Sequence, residues 1–238
     1  MSFDWQSLEK IGEGTEHEVF VHPHDQSRVL KIPRKSLLGS RTYREIVEEL
    51  RVARGSFGRW IAETAIEKEQ EHGYVIHQRR LHGPHLNPSV LVDGVFDEYQ
   101  ELLADHHALF DAKGIGVDFI GLEGAWKCIL SHMRSYRCSL IDTLCIAPFT
   151  RMASGLGSRF PNLLCPRNAS ELWSKSESLQ PELTNILVNG YGGNSRALSI
   201  VDFNPLIVRG VSFGRMVRAR IVNAVQNFFM ERYFVRKV

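Results

Sequence analysis

Three groups of residues have the types and the spacing to do chemistry, and they occur in a meaningful order. The first is Ile11-Gly-Glu-Gly-Thr-Glu-His-Glu-Val19, a G-x-G turn with Val19 seven residues after its first glycine. Glycine at Gly12 and Gly14 leaves no side chain between the backbone and an approaching phosphate. Such turns also close ordinary surface hairpins, so alone this one is a weak nucleotide signal. The second is Lys31, an ammonium inside the apolar run Val29-Leu-Lys-Ile32. Burying it is costly unless it meets an anion; the bland alternative is a stem that snorkels from an edge strand. Glu45, Glu48 and Glu49 follow on a helical segment and are its candidate partners. The third group is Asn185 in Leu183-Thr-Asn-Ile-Leu-Val188 and Asp202 in Ser199-Ile-Val-Asp-Phe-Asn204. An amide and a carboxylate at comparable ends of two adjacent strands offer two oxygen ligands to a divalent cation that bridges phosphates. The competing reading is an asparagine turn and an aspartate cap.

The elements that must position these residues are legible in part. Leu8 to Phe20 alternates in polarity around its glycines, His22 to Ser27 breaks the chain, and Arg28 to Pro33 follows as a strand, so the stretch predicts a hairpin. Tyr43, Ile46, Val47, Leu50 and Ala53 recur at helical intervals over Thr42 to Arg54. Tyr74 to Gln78 predicts a short strand, and Val95 to Ala112 a long helix stopped by Gly114. Gly124 to Arg134 is a shorter candidate helix, whereas 147–170 has the composition of a loop. A second hairpin joins Asn185–Val188 to Ala197–Val201 through a glycine- and asparagine-rich turn, and Phe213 to Tyr233 predicts a final helix.

In their order and joint spacing, Gly12 and Gly14, Lys31, a helix glutamate, Asn185 and Asp202 resemble the protein-kinase-like superfamily, across nearly the whole chain. The fragment His22-Pro-His-Asp-Gln-Ser-Arg-Val-Leu-Lys-Ile32 is similar to small bacterial kinase-like proteins such as the family regulated by the PhoP system. The resemblance implies an α+β, bilobal fold: a small β-rich N-lobe over residues 1–80 and a reduced, mainly helical C-lobe over 81–238. It implies Mg-ATP between the lobes. Gly12, Gly14 and Val19 would cover the nucleotide, and Lys31 would pair its α- and β-phosphates, oriented by Glu45 or by Glu49 one turn on. Backbone near Gln78 to Arg80 would meet adenine, and Asn185 and Asp202 would hold magnesium. The implied activity is transfer of the γ-phosphate to a hydroxyl of a protein or small molecule. A pseudokinase, acting as a nucleotide-binding or regulatory module, is the alternative.

Departures from the family pattern bear on that choice. The position five residues before Asn185, where an aspartate accepts the substrate proton, holds Gln180. Asp118, in Gly114-Ile-Gly-Val-Asp-Phe119 after the long helix, is one candidate base, with 119–181 inserted before Asn185; Glu182 is another, and no protein base is the third option. His17 replaces the third loop glycine, and Asn204 stands where D-F-G has its glycine. Only 36 residues follow Asp202, without an A-P-E motif, so the helical peptide-binding region is expected to be missing.

Composition narrows the field further. The 43% hydrophobic and 24% charged fractions exclude a disordered or fibrous chain. No apolar run approaches the roughly 18 residues that a membrane helix needs. Met1 to Gln6 has neither the basic flank nor the apolar core of a signal peptide, and Cys128, Cys138, Cys145 and Cys165 form no C-x-x-C pair, so a cytoplasmic protein with reduced thiols is expected. The pairs His22/His24, His82/His85 and His106/His107 lack the companions of a zinc site. The formal charge of +2 divides unevenly: 209–238 hold seven basic residues against Glu231, net +6, leaving −4 for 1–208. The basic segment reads as the solvated face of a helix, or as a surface for an acidic substrate, for RNA, or for the acidic N-terminal half of the same molecule.

Overall fold

The computed structural model describes residues 4–14, 16–35, 41–120, 183–189 and 197–234. The candidate helix at 124–134, the loop at 147–170, Gln180, Glu182 and turn residues 190–196 lie outside them. The N-terminal part is an antiparallel sheet of five strands: β1 (Lys10–Glu13), β2 (His17–Val21), β3 (Arg28–Pro33), β4 (Thr64–Glu69) and β5 (Gly73–Arg79), in the order β1-β2-β3-β5-β4. Alternation in β3 buries Leu30 and Ile32 against Phe20 and Val75. Helix α1 (Tyr43–Phe57) crosses between β3 and β4 and packs Ile46, Leu50 and Ala53 on Tyr74, Ile76 and Phe203. Its start is fixed by a capping box in which Thr42 and Glu45 satisfy each other's backbone amides.

The remainder is built on α2 (Asp93–Lys113), α3 (Phe213–Tyr233) and five short strands. Strand β6 (His85–Leu86) pairs with β8 (Leu183–Val188), which pairs with β9 (Leu198–Ile200). Strand β7 (Ile115–Val117) pairs antiparallel with β10 (Pro205–Ile207). Helix α2 ends where Gly114 adopts φ 69°, a left-handed cap that turns the chain directly into β7. One core joins α1 to this part: Phe57 and Trp60 pack with Leu86, Tyr99, Leu102, Phe119, Ile186, Ile200 and Phe234. Backbone bonds continue the join, from Ala62 N to Ile200 O (3.0 Å) and from Ile200 N to Trp60 O (2.7 Å). Glu98 on α2 accepts from the amides of Ala197 and Leu198, both at 3.0 Å, and so caps the entry to β9.

The fold is therefore α+β, in the order that the kinase-like resemblance implies: an antiparallel sheet with a helix after its third strand, then a more helical part carrying two small sheets. Strands β4, β6 and β10 have no counterpart in the sequence reading. Thr64 to Glu69 alternates weakly and carries three charges, and β6 and β10 are two and three residues long. Among the described residues no helix is long and apolar enough to cross a membrane.

Candidate functional site

Lys31 lies at the centre of the sheet, opposite Val19 on β2 and Ile76 on β5. Directly opposed residues share a face, so Val19 and the lysine stem stand side by side. Lys31 Nζ donates to the carbonyl of Val201 at 2.7 Å, immediately before Asp202. Burial holds the Lys31 ammonium below its usual range, with the Asp202 carboxylate acting the other way. Asp202 in turn is pushed upward by burial and by Glu16, against the pull of Lys31 and Arg41. The two groups thus share a poorly hydrated space in which each favours the other's charged form.

Gln78 is buried, and its amide donates to Thr64 Oγ1 at 3.0 Å and to Val201 O at 3.1 Å. It braces the segment between β9 and Asp202. The amides of Arg79 and Arg80 donate to Glu63 O and Ser27 O, so neither is a donor for adenine.

Asp118 follows β7 directly and is buried. Asn185 ties it to the rest of the site: its Nδ2 donates to Asp118 O at 2.8 Å, and its backbone amide donates to Phe119 O at 3.1 Å. The carbonyl of Asn185 accepts from Val201 N at 2.9 Å. Asp118, Asn185, Asp202 and Lys31, read as candidates from segments far apart in sequence, are brought together through these bonds.

The helix glutamates are placed differently from expectation. Glu45 accepts from the backbone and side chain of Thr42, which hold its carboxyl below the usual range. Glu49 pairs with Arg41 and with Arg215, the latter at 3.0 Å. Neither forms the expected ion pair with Lys31. The reason lies in the sequence around them: Thr42 claims Glu45 as a cap, and two guanidiniums outbid one ammonium for Glu49. Arg41 also pairs with Glu16 at 2.6 Å and donates to Asn204 Oδ1 at 3.0 and 3.1 Å. Burial opposes ionisation of Glu16, yet Arg41, His17, Arg218 and Asn204 together hold its carboxyl below the usual range. Glu16 and Arg41 were missed in the sequence, where nothing marks them off from the other charged residues.

Glu16, Arg41, Glu49, Tyr74, Asp118 and Asn204 line a cleft of about 480 Å³, with Arg215 and Arg218 reaching in from α3; Lys31, Asn185 and Asp202 are not among its lining residues. At the turn between β1 and β2, Gly14 N donates to His17 O at 2.8 Å. A methyl group added at Gly12 or Gly14 would approach nothing closer than 3.8 Å. The packing of the chain therefore does not itself require glycine there. His17 is buried and meets Tyr74 Oη at 3.1 Å; burial lowers its pKa to about 4 and raises that of Tyr74 to about 12. The histidine at the third glycine position thus faces inward as part of the packing.

Asn185 and Asp202 are the residues that could offer oxygen donors to a hard cation. Asp202 supplies a carboxylate that burial and Glu16 disfavour, and Asn185 has turned its nitrogen to Asp118, leaving Oδ1 as its remaining ligand atom. Two such donors, with phosphate oxygens and water completing the shell, match the habits of magnesium. No group of three or more His, Cys, Asp or Glu able to hold a metal occurs among the described residues.

The order of the elements is the one that the kinase-like resemblance implies. Among solved structures, the chain is similar to one described as the GDP and kanamycin complex of APH(2'')-IIIa, at 18% identity and a TM-score of 0.42 over 95% of this chain and 79% of that one. No family model matches the sequence, and no curated protein matches it.

Proposed function

We propose that the chain is a Mg-ATP-dependent phosphotransferase, with nucleotide bound between a unit over residues 1–80 and one over 81–238, and with a hydroxyl of a small molecule or protein as acceptor. One observation carries the reading. Lys31 Nζ bonds Val201 O, Val201 N bonds Asn185 O, and Asn185 Nδ2 bonds Asp118 O, so bonds run from Lys31 through the residue before Asp202 to Asn185 and the backbone of Asp118. Lys31 uses one of its three donors in that chain, and the others are available to phosphate oxygens. Magnesium at Asn185 and Asp202 supplies charge neutralisation on the phosphates. Asp118 takes the acceptor's hydroxyl proton as the oxygen bonds to the γ-phosphorus and the bond to the β-phosphate oxygen breaks, leaving ADP. The β1–β2 turn, with Gly12 and Gly14, covers the phosphates. Positioning and electrostatics dominate this class of reaction, so a fixed constellation matters more than any single group.

A second reading, a nucleotide-binding regulatory module, is favoured by one fact: Glu49 pairs with Arg41 and Arg215 and leaves Lys31 without a helix carboxylate. Thermal unfolding with ATP, with and without magnesium, tests binding; no stabilisation at millimolar ATP in folded protein removes both nucleotide readings. Transfer of labelled phosphate to protein or to a metabolite pool, compared between wild type and Asp202→Asn, then separates them. An active enzyme loses about 10²-fold or more of its incorporation when a metal ligand is removed. Equal incorporation means that Asp202 is misassigned, and no incorporation by wild type leaves the regulatory module.

A further inference from the structure

The three residues Val117, Asp118 and Phe119 are held in an unusual way. Strand β7 has one strand neighbour, β10, so its other edge has no strand partner among the described residues. On that edge side chains replace a ladder. Val117 N donates to His106 Nδ1 at 3.0 Å, and Val117 O accepts from Gln226 Nε2 at 2.9 Å. Phe119 N, on the far side of Asp118, donates to Gln226 Oε1 at 3.1 Å. Gln226 therefore straddles Asp118, with its two amide atoms taking the backbone before and after it. With the two Asn185 bonds to Asp118 O and Phe119 O, five backbone groups in three residues are fixed from α2, α3 and β8.

His106 and Gln226 are both 0% exposed, although neither residue type is usually placed in a core. His106 is oriented in turn by Asn223, whose Oδ1 lies 2.7 Å from Nε2. Since Nδ1 accepts from Val117, Nε2 carries the proton and donates to Asn223. A side chain at Gly116 would meet His106 Cε1 at 2.7 Å, so glycine there is what lets the ring lie on β7. A buried polar network of this kind is costly unless every member is satisfied, and an apolar filling would serve packing alone as well. This one converges on Asp118, one of the residues that line the cleft.

We infer that Gln226 and His106 are positioning residues that mount Asp118 for proton transfer, with Asn223 orienting His106. The inference rests on the phosphotransferase reading and deepens it. The test uses the full chain, Gln226→Met, which keeps the shape and loses both bonds, and Gly116→Ala, which displaces the His106 ring without touching a bonding residue. Four quantities are read: the shift of the unfolding midpoint with MgATP, KM for ATP, kcat for phosphate release from MgATP with water as acceptor, and amide exchange across 115–120. In wild type the amides of Val117 and Phe119 should be among the slowest to exchange. Both variants should keep the MgATP shift and hold KM within about twofold. Their kcat should fall by about 10²-fold, the scale of a 1 Å misplacement. Exchange at Val117 and Phe119 should rise in Gln226→Met, and adding Asp118→Asn to it should cost little more, because the two act as a unit.

Wild-type kcat in Gln226→Met overturns the inference, as does a loss that multiplies with that of Asp118→Asn. Rapid exchange of the Val117 and Phe119 amides in wild type overturns it even where neither variant folds. MgATP binding without phosphate release in wild type also overturns it, since Asp118 then has no reaction to be mounted for. Absence of any MgATP shift is a different result and removes the phosphotransferase reading itself.

Discussion

At the scale of single residues, the site is defined by which groups the chain itself does not satisfy. Gly12 and Gly14 illustrate this, because neither has a neighbour within 3.8 Å that a methyl group would strike. Alanine at either position should leave the unfolding midpoint unchanged or slightly raised, since it restricts the unfolded chain. If the turn covers phosphates, the same substitutions should weaken MgATP binding by about tenfold, read as a smaller ligand-induced midpoint shift. Unaltered binding in both variants would take the turn out of the site. Lys31, Asn185 and Asp202 were legible because a charge in an apolar strand and an amide and carboxylate flanking a hairpin are locally anomalous. Asp118 was legible only as one candidate of three, since a lone aspartate after a strand is unremarkable until Asn185 is seen bonded to its carbonyl. Glu16 and Arg41 were not legible at all, because their pairing closes a separation of 25 residues that no local pattern announces.

At the scale of elements, buried histidines fix how the parts respond to acid. His106 joins α2 to β7 and α3, and His17 joins β2 to β5. Burial lowers both from 6.5 to about 4. Each therefore binds a proton in the unfolded chain before it does so in the folded one. The stability they contribute is complete above pH 6.5 and is lost as pH falls from there toward 4. The full span amounts to about 3 kcal/mol for each. Urea unfolding at a series of pH values should show stability falling steeply below pH 6.5. His106→Gln should reduce the slope between pH 6 and 5 by close to one proton. An unchanged slope would mean that His106 is already charged in the folded protein. The long periodic elements α1, α2 and α3 were predicted to within three residues at each end, because amphipathic spacing and the Gly114 stop are local signals. Strands β4, β6 and β10 were not predicted; their pairing is decided by tertiary partners, as when β10 is recruited by β7.

At the scale of the molecule, the uneven charge distribution finds its use inside the chain. Arg215 on α3 pairs with Glu49, Arg218 lowers Glu16, and Arg209 donates to Ala112 O at 3.1 Å. Of the readings open for the basic C-terminal segment, attraction to the acidic N-terminal half describes Arg215 and Arg218. Their effect is to draw α3 toward α1 across the cleft that Asp118 lines. The contributions are unequal. Arg41 and Glu49 have side chains only 18% and 13% exposed, whereas Arg215 is 61% exposed. An exposed partner is screened and contributes little, while removing one member of a mostly buried pair strands the other. Glu49→Gln should therefore lower stability in urea by about 3 kcal/mol. Arg215→Gln should lower it by less than about 1 kcal/mol, a difference that shrinks further with added salt. The same two variants bear on function, since Glu49 is, with Glu45, one of the two helix carboxylates that the kinase-like resemblance offers as a partner for Lys31. Arg215→Gln loosens one competitor for Glu49 and should tighten MgATP binding or raise turnover if Glu49 can be released to Lys31. If instead both variants leave MgATP binding and turnover as in wild type, the Arg41–Glu49–Arg215 bridge is a structural tie between α1 and α3, and Lys31 works with Asp202 alone.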